Sequence, residues 1–116
     1  MIFNVIKKYE SQYKNPIIVT RGTKVDIGLQ DEQWKGWFFC KTQNNSGWIP
    51  KQIIDFQSNT EGYINKNYSA KELDADTNDI IEKIEELNGW IWGINKSTKE
   101  EGWIPLEVLQ KCIENT

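Results

Sequence analysis

Apolar and polar positions change over short runs along this chain. Val25-Asp26-Ile27 alternates, Trp37-Phe38-Phe39 is an aromatic run, and Trp48-Ile49 stands between Gly47 and Pro50. Alternation of period two, bounded by turn residues, places successive side chains on opposite faces and predicts short strands. The segment Ile80–Leu87 is ambiguous, because Ile81, Ile84 and Leu87 could share a helix face and its Glu/Lys content favours helix on propensity. A repeat settles it. Gly36-Trp37-Phe38-Phe39-Cys40, followed by Gly47-Trp48-Ile49-Pro50, returns as Gly89-Trp90-Ile91-Trp92-Gly93, followed by Gly102-Trp103-Ile104-Pro105. Trp37 and Trp90 are 53 positions apart and Trp48 and Trp103 are 55 apart, so the second copy carries two extra residues, in the polar run 95–101. An insertion into such a turn costs little. In the same alignment Ile80–Leu87 lies opposite Thr23–Leu29, which holds Gly28 and three β-branched residues. A segment and its repeat share one structure, so both are read as strands. The match weakens upstream, where Thr23–Ile27 pairs with Asp79–Lys83 and Tyr9-Glu10-Ser11 with Tyr68-Ser69-Ala70. The polar run 57–62 marks the boundary, giving two all-β units, 1–57 and 58–116. Leu106–Ile113 is predicted to form a short helix or 3₁₀ turn after Pro105.

Composition narrows the chemistry. The 116 residues include six Trp and no His. Without His the usual general base near neutral pH, the commonest metal ligand and every Ser-His or Cys-His pair are absent. Cys40 and Cys112 stand 72 positions apart, which fits neither a zinc spacing nor dense disulfide bridging, so reduced thiols are expected. Cys40 is expected to fill a small core position on the strand face of Phe38, and Cys112 to be an incidental thiol near the end. No glycine-rich phosphate loop or nucleophile elbow is present. Carboxylates within 72–86 are expected in water, where nothing raises their pKa toward neutral. A non-enzymatic protein without metal or cofactor follows. The N-terminal segment has no basic head before a long apolar run, and no stretch approaches the ~18 apolar residues of a membrane span. The chain is therefore expected to be soluble, unprocessed and cytoplasmic, with no membrane partner.

The net charge of −3 hides a split. Residues 1–57 carry eight Lys/Arg and five Asp/Glu, net +3; residues 58–116 carry six and twelve, net −6. Opposite charge suggests docking between the two units, or an acidic second unit suited to a basic partner, against the plain alternative of a solvated acidic surface. Nucleic acid is a poor partner for an acidic chain whose basic residues are scattered.

With these motifs placed, each half resembles a Src homology 3 (SH3) domain, and nearly the whole chain resembles the small tandem SH3 pairs of bacteria. Val5-Ile6-Lys7-Lys8-Tyr9 and Ile64-Asn65-Lys66-Asn67-Tyr68 stand where the family has ALYDY. Residues 16–23 and 72–79 close the long RT loops, with Asn78 at the family's Gly position, where Asn is the next best residue for φ > 0. The resemblance implies an all-β fold of two small SH3-like five-stranded β-barrels in tandem. The family binds proline-rich segments in polyproline II form on aromatic ridges, with acidic RT-loop residues facing a basic residue of the ligand. Carried over, this implies ligand-binding roles for Tyr9, Trp37 and Pro50 in the first copy, for Tyr68, Trp90 and Pro105 in the second, and for Glu72, Asp74 and Asp76 in the second RT loop. Lys7 and Lys66 replace the first ALYDY Tyr, while Ile53 and Val108 replace the Tyr that follows the Pro. Each groove keeps about half of its aromatic walls, which points away from ordinary PxxP recognition. Trp34 and Trp92 lie outside the family's site and are expected to pack between units or on the outer sheet face, with Trp48 and Trp103 either framework or ligand-facing. The implied function is a non-enzymatic protein- or peptide-binding adaptor. The alternative is a rigid regulatory, inhibitory or structural protein with vestigial grooves, and behind it cell-wall binding.

Overall fold

The runs Val25–Ile27, Trp37–Phe39 and Trp48–Ile49 all lie within strands. A computed structural model describes residues 1–12 and 15–112 and contains, in order, β1 (Ile2–Val5), β2 (Ile18–Val19), β3 (Lys24–Gln30), β4 (Trp37–Lys41), β5 (Ser46–Pro50), β6 (Ile54–Phe56), β7 (Glu61–Ile64), β8 (Tyr68–Ser69), β9 (Ile80–Leu87), β10 (Trp90–Asn95), β11 (Glu101–Pro105) and β12 (Leu109–Lys111). One-turn 3₁₀ helices, Lys51–Ile53 and Leu106–Val108, follow Pro50 and Pro105. Proline fixes the extended φ of −71° and −72° from which each turn starts. The expected turn after Pro105 is thus present but stops at Val108, and Ile113 lies outside the described residues. The segment Ile80–Leu87 is a strand, as the repeat required. Asn78 has φ 78°, matching Gly22 at φ 91° in the equivalent turn. No helix among the described residues is long and apolar enough to cross a membrane.

The strands form two five-stranded antiparallel sheets with the same internal pattern, β11-β10-β9-β1-β12 and β5-β4-β3-β7-β6, plus a two-stranded ladder of β2 and β8. The expectation of closed five-stranded barrels is corrected here: both sheets are open and end on edge strands. In the first sheet the reason is visible at β11. Its outer edge is occupied by the segment before β9, through a parallel bridge between Glu72 and Trp103, with Leu73 N–H donating to Trp103 O at 2.8 Å and Trp103 N–H to Lys71 O at 2.9 Å. Those backbone groups are satisfied without β12, so closure gains nothing there.

The chain divides into two compact units, Met1–Lys14 with Lys71–Thr116, and Asn15–Ala70. Each therefore draws on both halves of the repeat. In the first unit β1, from the first half, lies between β9 and β12 of the second half, with Phe3 opposite Ile81 and Lys111. In the second unit β7, from the second half, lies between β3 and β6 of the first, with Gly62 opposite Val25 and Phe56. The arms beyond them follow suit: Tyr9 bridges Ala75, and β8 pairs with β2.

The core of the first unit gathers Phe3, Val5, Leu73, Ala75, Ile81, Ile91, Ile104, Val108 and Leu109, with Tyr9 and Leu106 packed against it. Alternation delivers those of β1 and β10, where every second residue is buried, while β11 is buried at four consecutive positions from Gly102 to Pro105. In the second unit Ile17, Val25, Ile49 and Ile64 are fully buried, and Cys40 is buried as expected. Phe38, predicted on the same face, is half-buried and packs edge-to-face on Phe56 at 5.5 Å.

Candidate functional site

The register of each Trp hairpin places a tryptophan beside a proline. Trp90 is the cross-strand partner of Pro105, and Trp37 that of Pro50. The two-residue difference in spacing is absorbed in the turn after β10, where Asn95 is buried and accepts the Ser97 N–H at 2.9 Å. Both prolines are fully buried, so they back the indoles.

The strand arrangement re-sorts the tyrosines. Tyr9 meets Trp90 edge-on, with ring centroids 5.9 Å apart and planes at 82°. The first copy's Tyr9 thus joins Trp90 and Pro105 of the second, and Tyr68 shares the other unit with Trp37 and Pro50. The two sites also differ in exposure. Tyr9 and Trp90 are half-buried, whereas Trp37 keeps 5% and Tyr68 9% of its surface. The Tyr68 hydroxyl donates to Trp48 O at 3.0 Å.

Around Tyr9 the acidic residues act first on the chain's own RT loop. Glu72 accepts the Tyr9 hydroxyl on Oε1 and the Gln12 N–H on Oε2 at 3.0 Å. Asp74 Oδ1 accepts the Ser11 N–H at 2.6 Å. The two arms are further zipped by Tyr9 N–H to Ala75 O at 2.9 Å and Ala75 N–H to Tyr9 O at 3.0 Å. Charge-assisted bonds of this kind fix where the phenol ring sits. Asp76 lies outside this zipper, on the surface, with Lys8 Nζ 3.8 Å from it and 3.3 Å from Glu10. The hydrogen bond to Glu10, its charge and then that of Asp76 raise the pKa of Lys8. All three groups are well exposed, so this pairing adds little stability.

Sequence reading missed the Lys8–Glu10–Asp76 group, because nothing in either segment alone announces the other. It also mis-sorted the charge. By compact unit, residues 1–14 with 71–116 carry eight Lys/Arg and twelve Asp/Glu, net −4, and residues 15–70 carry six and five, net +1. The opposition of +3 and −6 is reduced when the basic first arm joins the acidic unit.

Trp92 and buried Trp103 have a repeated role. Trp92 stacks edge-on against Trp103 across the β10–β11 hairpin at 5.6 Å, and its Nε1–H donates to Glu101 at 3.1 Å. Phe39 and Trp48 form the same pair across β4–β5 at 5.2 Å. Trp92 thus packs across its own hairpin.

Comparison with known proteins agrees with this geometry over part of the chain. The family model "Variant SH3 domain" matches residues 2–57. The chain is 28% identical to human "SH3 and PX domain-containing protein 2B" over 92% of its own length and 13% of the relative's, and 27% identical to the mouse protein of that name over the same shares. It is 36% identical to zebrafish "SH3 and PX domain-containing protein 2A" over 48% of its length and 5% of the relative's. The chain therefore spans about an eighth of the length of the first two relatives. No solved structure matches. An SH3-like domain is present over part of the chain, and SH3 domains are non-catalytic modules.

Proposed function

We propose that the chain is a cytoplasmic, non-enzymatic module of two tandem SH3-like repeats, 1–57 and 58–116, that binds a protein or peptide through the Tyr9–Trp90 groove. The observation that carries this reading is the contrast between the two aromatic pairs. Tyr9 and Trp90 form a half-exposed edge-on pair, while Trp37 and Tyr68 are buried. A groove needs accessible ring faces, and only the first pair offers them. Exposed Glu10, Asp74 and Asp76 beside it favour a partner bearing Lys or Arg next to an extended apolar segment. Lys7 is exposed at the position of the family's first tyrosine, which favours a ligand other than ordinary PxxP.

The burial of Trp37 and Tyr68 favours the second reading, a rigid structural role, for the other unit. Recovery of partners from lysate of the native host, followed by titration of the purified partner, separates the two. Trp90→Ala is expected to abolish binding with the fold intact, and Asp76→Lys to weaken it in a salt-dependent way. Unchanged affinity in both variants would defeat the groove and leave the structural reading.

A further inference from the structure

β1 and β7 occupy equivalent places in the two sheets. Val5 pairs with Leu109 as Ile64 pairs with Ile54, and Asn4 pairs with Ile80 as Tyr63 pairs with Lys24. Their flanking backbone bonds correspond too: Val5 N–H donates to Asp79 O at 2.9 Å, and Ile64 N–H to Thr23 O at 2.9 Å. By backbone alone, either arm would serve either sheet. The second inward position is β-branched in both arms, Val5 and Ile64, but at the first β1 carries Phe3 and β7 carries Gly62.

In the first unit Phe3 is a core residue, 7% exposed. At Gly62 there is no room even for a methyl group: a Cβ would lie 2.8 Å from Asp55 O, 2.9 Å from Ile54 Cγ2 and 3.2 Å from Ile27 Cδ1. The first of these is backbone of the neighbouring strand and cannot turn aside. Phe3 in that site would push β6 from β7, and Gly62 in the Phe3 site would leave a void the size of a benzyl group. The space is taken up differently on the facing strands as well. Ile27 is buried in β3, whereas Lys83, its counterpart in β9, is half-buried.

We propose that Phe3 and Gly62 are steric addresses that direct each arm into the sheet of the opposite repeat, so that the exchanged connection is specified by side-chain volume. Sequential pairing, each arm in the sheet of its own half, is excluded by the clash at one address and the void at the other. The groove inherits this, since Tyr9 reaches Trp90 only because β1 is delivered to β9. The inference does not rest on any ligand: it stands or falls on strand partnership.

The test is disulfide trapping in the full chain, with Cys112→Ser to remove the half-exposed thiol. Asn4 and Ile80 face each other at a non-hydrogen-bonded site, where Cα atoms lie ~4.5 Å apart, within disulfide reach. Asn4→Cys with Ile80→Cys is expected to oxidise to an intramolecular disulfide in most molecules. Asn4→Cys with Lys24→Cys reports sequential pairing and is expected to stay reduced. The reverse result, or a disulfide formed between two chains, would overturn the exchange within one molecule. To assign it to the addresses, Phe3→Gly is combined with Gly62→Phe. Trapping is then expected to move toward the Asn4/Lys24 pair by about tenfold or more. If that combination does not fold, Phe3→Gly alone is expected to raise Asn4/Lys24 trapping by lifting the clash. An unchanged trapping ratio in a folded variant would refute the addresses.

Discussion

Replacing Phe3 with Ala should destabilise the unit built largely from the second half of the chain and spare the one built from the first. Phe3 is 7% exposed and packed with Val5, Ile81, Ile91 and Leu109, so its truncation removes most of a ring from a closed core. Phe→Ala changes of this kind cost about 3–5 kcal/mol, and each ~1.4 kcal/mol is tenfold in an opening equilibrium. Native-state hydrogen exchange reads the effect unit by unit. The amides of Ile81, Ile91 and Ile104, all fully buried on β9, β10 and β11, should exchange roughly 10²- to 4 × 10³-fold faster. Those of Val25, Cys40 and Ile49 in the other sheet should change little. Were Val25, Cys40 and Ile49 to lose protection while Ile81, Ile91 and Ile104 kept theirs, β1 would belong to the sheet of its own half, and the strand assignment would be wrong.

Other consequences can be checked alongside. Trp37→Ala should lower the urea midpoint by an amount equivalent to about 3–5 kcal/mol, whereas half-exposed Trp90→Ala should cost clearly less; equal costs would contradict the difference in burial. Asn95, fully buried, donates to Asp79 Oδ2 at 2.9 Å and Asp74 O at 3.3 Å, so Asn95→Ala should destabilise by about 2–3 kcal/mol. The Asn95 hydrogen bond is the main cause of the lowered pKa of Asp79, followed by the bond from the Asp76 N–H. The ionised form thus contributes stability above the usual carboxylate value that is lost as pH falls through the lowered one, and Asn95→Ala should move the Asp79 titration, read by carboxyl NMR, upward. Burial pushes the Cys40 thiol up to about 12, so thiol reagents at pH 8 should label half-exposed Cys112 and leave Cys40 untouched until the protein unfolds; equal labelling rates would refute that burial.

Local features were readable from the residues because their causes are local. The short apolar runs and the repeat located β3, β4, β5, β9, β10 and β11, Asn78 revealed a positive φ, and Pro105 announced a one-turn helix. What the sequence concealed was partnership. Two arms with the same backbone pattern can enter either sheet, and the choice depends on the space around Gly62, which is set by Asp55, Ile54 and Ile27 and is seen only in three dimensions. A trace was nonetheless present, since aligning the copies at Val5 and Ile64 sets the bulkiest residue of one arm against the smallest of the other. Tyr9 was consequently grouped with Trp37. Closure into barrels was expected from resemblance alone, and both sheets are open instead; in the first, segment 71–73 occupies the edge of β11. The resemblance implies ligand contacts for Glu72 and Asp74, yet their oxygens hold Tyr9, Gln12 and Ser11 in place.

The central claim is that one groove is assembled from Tyr9 of the first repeat and Trp90 of the second. Nuclear Overhauser contacts from the Tyr9 ring protons in the full chain test it most directly. At a centroid separation of 5.9 Å with the rings edge-on, cross-peaks to the Trp90 indole are expected. Cross-peaks from Tyr9 to the Trp37 indole in place of those to Trp90 would contradict the account.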